Sequence, residues 1–313
     1  RSLAAALVAA GLQPGERVAT LMWNTNAHLE AYYGVPLAGG ILQTVNVRFR
    51  PEEIAYVLQE ASSRFLIVDE TLLPIWKAVG ADTPIERVFV QFHGDKEDAS
   101  DGMQLEDYDQ LIVGAPDVRL PELSCERQGA ILCYTGGTTG RPKGVVYSHR
   151  ALVLHALVEM TPAAFGYGVA DVVLPAVPMF HVNAWGIPFS ALMAGAKLVL
   201  PGPALDPASL LDLVESEGVT FMAGVPTIWA NLLQVLDNGP VRHLKPGLQI
   251  MTGGSAPHRS LIEGLDRYGI TLLQGWGMTE TAGVVAVSRL KASLLSAEAG
   301  SRYSYLAKQG LPL

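Results

Sequence analysis

The sequence predicts an α/β protein of layered sheets, parallel or mixed, flanked by helices. Two observations carry that expectation. Short β-branched or apolar runs alternate with segments of helical period along most of the 313 residues. Several of the helical segments open on the Pro or Asp that a helix start favours. Strands separated by such helices join as parallel neighbours through crossover connections.

The elements follow in chain order. "SLAAALVAAG" reads as a helix ended by Gly11. Strands are expected at "RVATLM" (17–22), "RFLIVD" (64–69), "RVFVQF" (87–92), "AILCYT" (130–135), "KLVLPG" (197–202), "TFMAGV" (220–225), "LQIMTGG" (248–254) and "TLLQGW" (271–276). The unbroken apolar character of "AILCY" and "LQIM" fits strands covered on both faces. Helices are expected over 51–61, 150–161, 207–217, 226–236 and 258–268. An acidic surface loop falls at 93–102, and a second break in composition at 116–128 is the expected seam between a first α/β subdomain, 1–128, and a second, 129–313. After Ser288 the alternation fades.

Composition excludes several classes. With 22 Lys and Arg against 30 Asp and Glu, the net charge is −8 and no basic stripe is present to neutralise phosphates in a row, so a nucleic-acid partner is not expected. The most apolar region, 172–200, is interrupted by Pro175, Pro178, His181, Asn183, Gly186, Pro188 and Gly195, and never reaches the ~20 apolar residues of a spanning helix. Cys125 and Cys133 are too few for a disulfide framework. Two buried, inert thiols in a reducing cytoplasm are the expectation. The seven histidines are scattered, and His149 and His155 lack the spacing of a helical metal pair.

Four loops carry chemistry. "YTGGTTGRPKG", 134–144, follows an apolar strand with glycines that let backbone N–H groups converge on an anion, with the hydroxyls of Thr135, Thr138 and Thr139, and with the charge of Lys143. It suits phosphate, or else a flexible surface turn. It is not a Walker A loop, because the fifth residue after Gly136 is Arg141. "QGWGMTET", 274–281, offers Glu280 between two threonines as a hard-oxygen ligand for a cation riding on phosphates, and Trp276 as a flat face for a base. "TGGSAP", 252–257, invites a nucleophile elbow at Ser255 but has Pro257 where the elbow needs Gly. In "MFHVNAWG", 179–186, His181 and Trp185 would share a face if a helix began near Asn183, although a lone His in such surroundings is also a common core residue.

Together and in this order, "YTGGTTGRPKGVVYSHR", "MFHVNAWG", "TGGSAP" and "GWGMTET" resemble the adenylate-forming superfamily of acyl-CoA synthetases, luciferases and peptide-synthetase adenylation domains. "VPMFHVNAWG" followed by "GAKLVLPG" is most similar to the medium- and long-chain fatty acyl-CoA ligases. The resemblance spans nearly the whole chain and implies the large N-terminal domain of such an enzyme. It implies ATP-dependent activation of a carboxylic acid, with Mg²⁺, to an acyl-adenylate and then transfer to coenzyme A as co-substrate. The nucleophile arrives with the substrate, which accounts for the missing triad.

By the same resemblance, Thr135, Gly136, Gly137, Thr138, Thr139, Gly140 and Lys143 hold the β- and γ-phosphates, Thr279 meets the α-phosphate, and Glu280 with Thr135 places Mg²⁺. Gly253, Gly254, Ser255 and Ala256 border adenine and the acyl pocket, and Gln274, Gly275, Trp276 and Gly277 lie at the base. His181 orients the carboxylate, beside Val182, and Trp185 gates an acyl tunnel. The catalytic set so implied is His181, Lys143, Thr279 and Glu280.

Gly136 stands where the family usually has Ser or Thr, and Trp276 where Tyr is commoner. No Gly-Asp ribose motif and no small C-terminal domain follow Glu280, so the chain reads as a fragment cut at both ends. The alternatives are transfer to a carrier-protein thiol, or a nucleotide- or acyl-binding module without turnover. Small molecules are the expected partners, with a homodimer left open.

Overall fold

The computed structural model describes residues 1–80, 82–94, 104–136 and 140–313. Two compact units emerge: Arg1–Ala151 with Met179–Asn183, and Leu152–Pro178 with Ala184–Leu313.

The first unit is built on a sheet of β1 (Arg17–Leu21), β2 (Ile41–Thr44), β3 (Ser63–Asp69), β4 (Arg87–Gln91), β5 (Leu105–Asp107), β6 (Gly129–Tyr134) and β7 (Gly144–Ser148). The strand order is β5-β4-β3-β1-β2-β6-β7, parallel everywhere except the β6/β7 pair. Its helices form for local reasons. In Pro51–Ala61 a proline opens the first turn, the Glu53 carboxylate accepts the Arg50 N–H at 3.0 Å, and Ser62 closes the end in the left-handed conformation. Ile54, Val57, Leu58 and Ala61 then fall on one face, buried against Leu66, Val68 and Val90 of the sheet. Each such aliphatic side chain contributes about 1.5–3 kcal/mol on burial.

The second unit carries β8 (Val172–Pro175), β9 (Lys197–Leu198), β10 (Phe221–Gly224), β11 (Gln249–Thr252), β12 (Thr271–Met278), β13 (Gly283–Val287) and β14 (Leu311–Pro312). Their order is β14-β13-β12-β11-β10-β8-β9. The run from β9 to β12 is parallel, and β13 and β14 are antiparallel additions. Phe221 of β10 packs its ring 5.3 Å from Phe165 and 5.1 Å from Tyr167, all three buried.

The fold class is therefore the expected one, mixed sheets with flanking helices, and the helices at 51–61 and 207–217 have the expected limits. The division of the chain differs from the expected 128/129. Because β6 lies parallel to β2 and β7 closes onto β6, both strands belong to the first unit, and the chain leaves it only after Ala151. Cys133 is buried as expected, but Cys125 is exposed. No helix among the described residues is long and apolar enough to cross a membrane.

Candidate active site

In the first unit, β6 and β7 form a hairpin whose loop is Thr135–Lys143. The neck is pinned twice: the Thr135 N–H donates to the Lys143 carbonyl at 3.0 Å, and the Lys143 N–H donates to the Thr135 hydroxyl at 3.3 Å. Both shoulders rest on the helix Pro51–Ala61. The Tyr134 hydroxyl donates to the Glu60 carboxylate, and the Arg141 guanidinium stacks over the Tyr56 ring at 4.9 Å. Tyr56 and Glu60 are one helical turn apart, so a single face carries both supports. Gly136, Gly140, Arg141 and Lys143 are exposed, and Lys143 has no ion pair among the described residues. Gly137, Thr138 and Thr139 lie outside the described residues.

His181 sits on a stretch, Met179–Asn183, that the first unit holds by its backbone. The Met179 N–H donates to Asn24 Oδ1 at 2.7 Å, and the Tyr32 hydroxyl donates to the Met179 carbonyl. The Thr44 hydroxyl donates to the Phe180 carbonyl, and Cys133 Sγ donates to Asn183 Oδ1, each at 3.3 Å. Burial pushes the Cys133 thiol up to about 11, so it is a neutral donor and not a nucleophile. His181 itself projects outward. Desolvation by its surroundings, and then the nearby charge of Arg48, hold its imidazole below the usual range, so it is neutral at pH 7.

The expected sharing of a helical face by His181 and Trp185 does not occur. Val182, Asn183, Ala184 and Trp185 take φ of 46°, 54°, 46° and 59°, a left-handed turn, and Gly186 continues it at 86°. The i, i+4 rule for right-handed helices has no purchase here.

In the second unit, β10 and β11 end level, with Gly224 opposite Thr252, and Thr252 lies opposite Gln274, from which β12 runs on to Met278. The carboxyl ends of parallel strands are where α/β sheets place ligands. Two side-chain groups there, Thr252 Oγ1 and Gln274 Oε1, are buried with no hydrogen-bond partner among the described residues. An unpaired buried acceptor costs about 1–3 kcal/mol, so a ligand that supplies a donor recovers that loss. The Gln274 backbone, in contrast, is fixed by a mutual pair with Ser288 at 2.7 and 2.9 Å.

The turn after β11 brings Gly253 under the Trp185 indole: a Cβ on Gly253 would stand 3.0 Å from Cη2. Any larger residue there would press the indole away by a few tenths of an ångström. Gly254 follows at φ 80°, with Ser255 and Ala256 exposed beyond it. Trp276, Gly277 and Met278 are exposed at the end of β12. The short 3₁₀ turn Thr279–Thr281 is held by the Met278 N–H, which donates to the Thr281 hydroxyl at 2.9 Å. Thr279 is buried, while the Glu280 carboxylate faces outward with no partner among the described residues. Among those residues no cluster of three His, Cys, Asp or Glu is present that could hold a metal without help from a ligand.

The profile of the AMP-binding enzyme family matches residues 1–313. The chain belongs to that family. It is 46% identical over its whole length to a long-chain-fatty-acid–CoA ligase of Thermus thermophilus, of which it covers 56%. It is 44% identical over 90% of its length to a medium-chain-fatty-acid–CoA ligase of Ectopseudomonas oleovorans, of which it covers 52%. The chain thus spans about half the length of the curated relatives it matches. A crystal structure of a long-chain-fatty-acid-CoA ligase from Archaeoglobus fulgidus shares the fold, with TM-score 0.84 and 24% identity over 99% of this chain and 60% of that one. In this AMP-binding enzyme the sequence motifs contain Tyr134, Arg141 and Met179 but not the residues that brace them. Tyr56, Glu60, Asn24 and Tyr32 are far from the motifs in sequence and of ordinary type, so nothing in the sequence marks them.

Proposed function

We propose that the protein activates a carboxylic acid with ATP and transfers the acyl group to coenzyme A, as an AMP-forming acid–thiol ligase for medium- or long-chain fatty acids. A carboxylate oxygen attacks the α-phosphorus, the bond to the bridging oxygen breaks, and pyrophosphate leaves. The coenzyme A sulfur then attacks the acyl carbon, AMP departs, and the thiol gives up its proton. The observation that carries this reading is the buried Gln274 Oε1, without a hydrogen-bond partner among the described residues, beside the carboxyl end of β11. A nucleobase amino group is the donor it lacks.

In this reading the neutral His181 orients the carboxylate, with Val182 beside it, and leaves its charge unneutralised for attack. Thr135, Gly136, Gly140 and Lys143, with Gly137, Thr138 and Thr139, take the β- and γ-phosphates, and Thr279 the α-phosphate. Gly253, Gly254, Ser255 and Ala256 border adenine and acyl group, with Gly275, Trp276 and Gly277 along the base. A Mg²⁺ ion riding on phosphate oxygens would be held by Glu280, which suits an outward carboxylate with no partner among the described residues, and would neutralise charge on the leaving pyrophosphate. Trp185 limits the acyl chain. We place the enzyme in the cytoplasm, acting on small molecules, and size-exclusion chromatography reads whether it pairs as a homodimer.

Pyrophosphate exchange into ATP by the full-length protein, over carboxylates of graded length, tests the first half. Exchange that depends on a fatty acid is expected, and none with any acid refutes it. Thioester formation with coenzyme A tests the second half, against a carrier-protein thiol as acceptor.

A further inference from the structure

Beneath Trp185 and Gly186 lies a pair of titratable groups that the reaction above does not use. His155 and Glu159 stand one turn apart on the helix His149–Glu159, with Nδ1 3.1 Å from Oε1. Glu159 is fully buried, and neither carboxyl oxygen has a well-aligned hydrogen bond among the described residues. The other ring nitrogen, Nε2, donates to the Val284 carbonyl at 3.0 Å. His155 therefore faces an acceptor on either side. Burial raises the Glu159 carboxyl, and the contacts with Glu159 and Val284 lift the imidazole despite its own desolvation.

The backbone lies directly on this pair. A Cβ on Gly186 would fall 2.6 and 2.7 Å from the two Glu159 oxygens. A Cβ on Gly283 would fall 2.8 Å from His155 Cε1 and 3.4 Å from the Trp185 carbonyl carbon. One face of one helix thus seats both the turn that presents the Trp185 indole to Gly253 and the strand that leaves the Thr279–Thr281 turn.

We propose that His155 and Glu159 are positioning residues for acyl selection: Glu159 sets the height of the Trp185–Gly186 turn, and His155 ties that turn to the Gly283–Val284 strand. The inference rests on the acid-activating reading above, because acyl selection has meaning only there. Neither residue touches a reacting atom. Their effect passes through the indole, which shifts if the carboxyl beneath the neighbouring Gly186 is removed, since a buried deletion leaves space that neighbours only partly fill.

The test uses the full-length protein and two readouts. Backbone hydrogen exchange is followed in Ala184–Ser190 and Gly283–Val287, and kcat/KM is measured for two acids of different length beside KM for ATP. Glu159→Ala is expected to quicken exchange in both segments at least about tenfold. It is also expected to change the ratio of kcat/KM between the two acids at least about fivefold, with KM for ATP within about twofold. Glu159→Gln keeps the volume and restores both. Exchange that quickens only within the helix, an unchanged acid ratio, or a Gln variant as defective as Ala overturns the proposal. If Glu159→Ala does not fold, His155→Asn takes its place, with faster exchange expected at Gly283–Val287. A wild-type protein that activates no acid refutes the acid-activating reading, while the exchange arms still judge the positioning.

Discussion

Gly186→Ala tests the seating of the turn with a single methyl group. The residue holds φ 86° and ψ −8°, where an L side chain costs about 1–2 kcal/mol. Its Cβ would also meet Oε1, Oε2 and Cδ of Glu159 at 2.6, 2.7 and 2.9 Å. That carboxyl is buried and cannot swing into solvent, so overpacking adds about 1–3 kcal/mol. The sum is about 2–5 kcal/mol, or a melting temperature lower by about 5–15 °C at ~3 °C per kcal/mol for a unit of this size. Thermal unfolding of the full-length protein reads it. Repeated in a Glu159→Ala background, the same change loses its steric part, and only about 1–2 kcal/mol of backbone cost remains. Two results refute the reasoning: a melting temperature within about 1 °C of wild type for the single change, or an equal cost in both backgrounds.

Three further outcomes follow from the geometry. Trp185→Ala uncovers Gly253 and is expected to move acyl-length preference by about tenfold while KM for ATP stays within about twofold; steady-state kinetics over graded acids decide, and an effect confined to ATP removes Trp185 from the acyl side. Arg141→Ala removes the stack on Tyr56, worth about 0.5–1 kcal/mol at an exposed site, and is expected to raise KM for ATP about two- to fivefold while lowering stability by no more than about 1 kcal/mol. His28 is buried between the Thr20 hydroxyl and the Trp23 carbonyl, each 3.0 Å away, and burial lowers it from 6.5 to about 4. Its folded value lies below its unfolded one, so stability is full above pH 6.5 and falls on acidification as the unfolded chain takes the proton first. About 3 kcal/mol is lost by pH 4, and His28→Gln should flatten that part of a urea-midpoint profile.

The legibility of the fold varied with the source of each element's stability. Pro51–Ala61 and Pro207–Glu217 were readable to the residue, because their start signals and apolar faces are local. Strand β7 was not, since "GVVYS" exists as a strand only by pairing with β6, and four of its five residues keep contact with solvent. That omission also hid the hairpin that pins the phosphate-binding candidate, and it moved the boundary between units. For the site, the motifs name the residues that are proposed to touch a ligand. Those that hold them in place, such as Glu60 under Tyr134 or Asn24 under Met179, are joined only by tertiary contacts.

The left-handed turn at Val182–Trp185 shows why a local reading had to fail where the chemistry is densest. Of its four residues only Asn takes this conformation readily, and Val, branched at Cβ, is a clear outlier there. Each left-handed residue costs about 1–2 kcal/mol, so the turn persists only because its ends are over-determined. On one side Tyr32, Asn24 and Thr44 hold the backbone of Met179 and Phe180, and Cys133 holds the Asn183 side chain. On the other, Glu159 leaves room at Gly186 for no side chain at all. A right-handed turn would be cheaper for these residues, but it would point Trp185 elsewhere and leave Gly253 uncovered. The strain is therefore tied to the direction of one indole, and in the proposed reading the buried groups that enforce it serve acyl binding as much as the residues that would face the ligand.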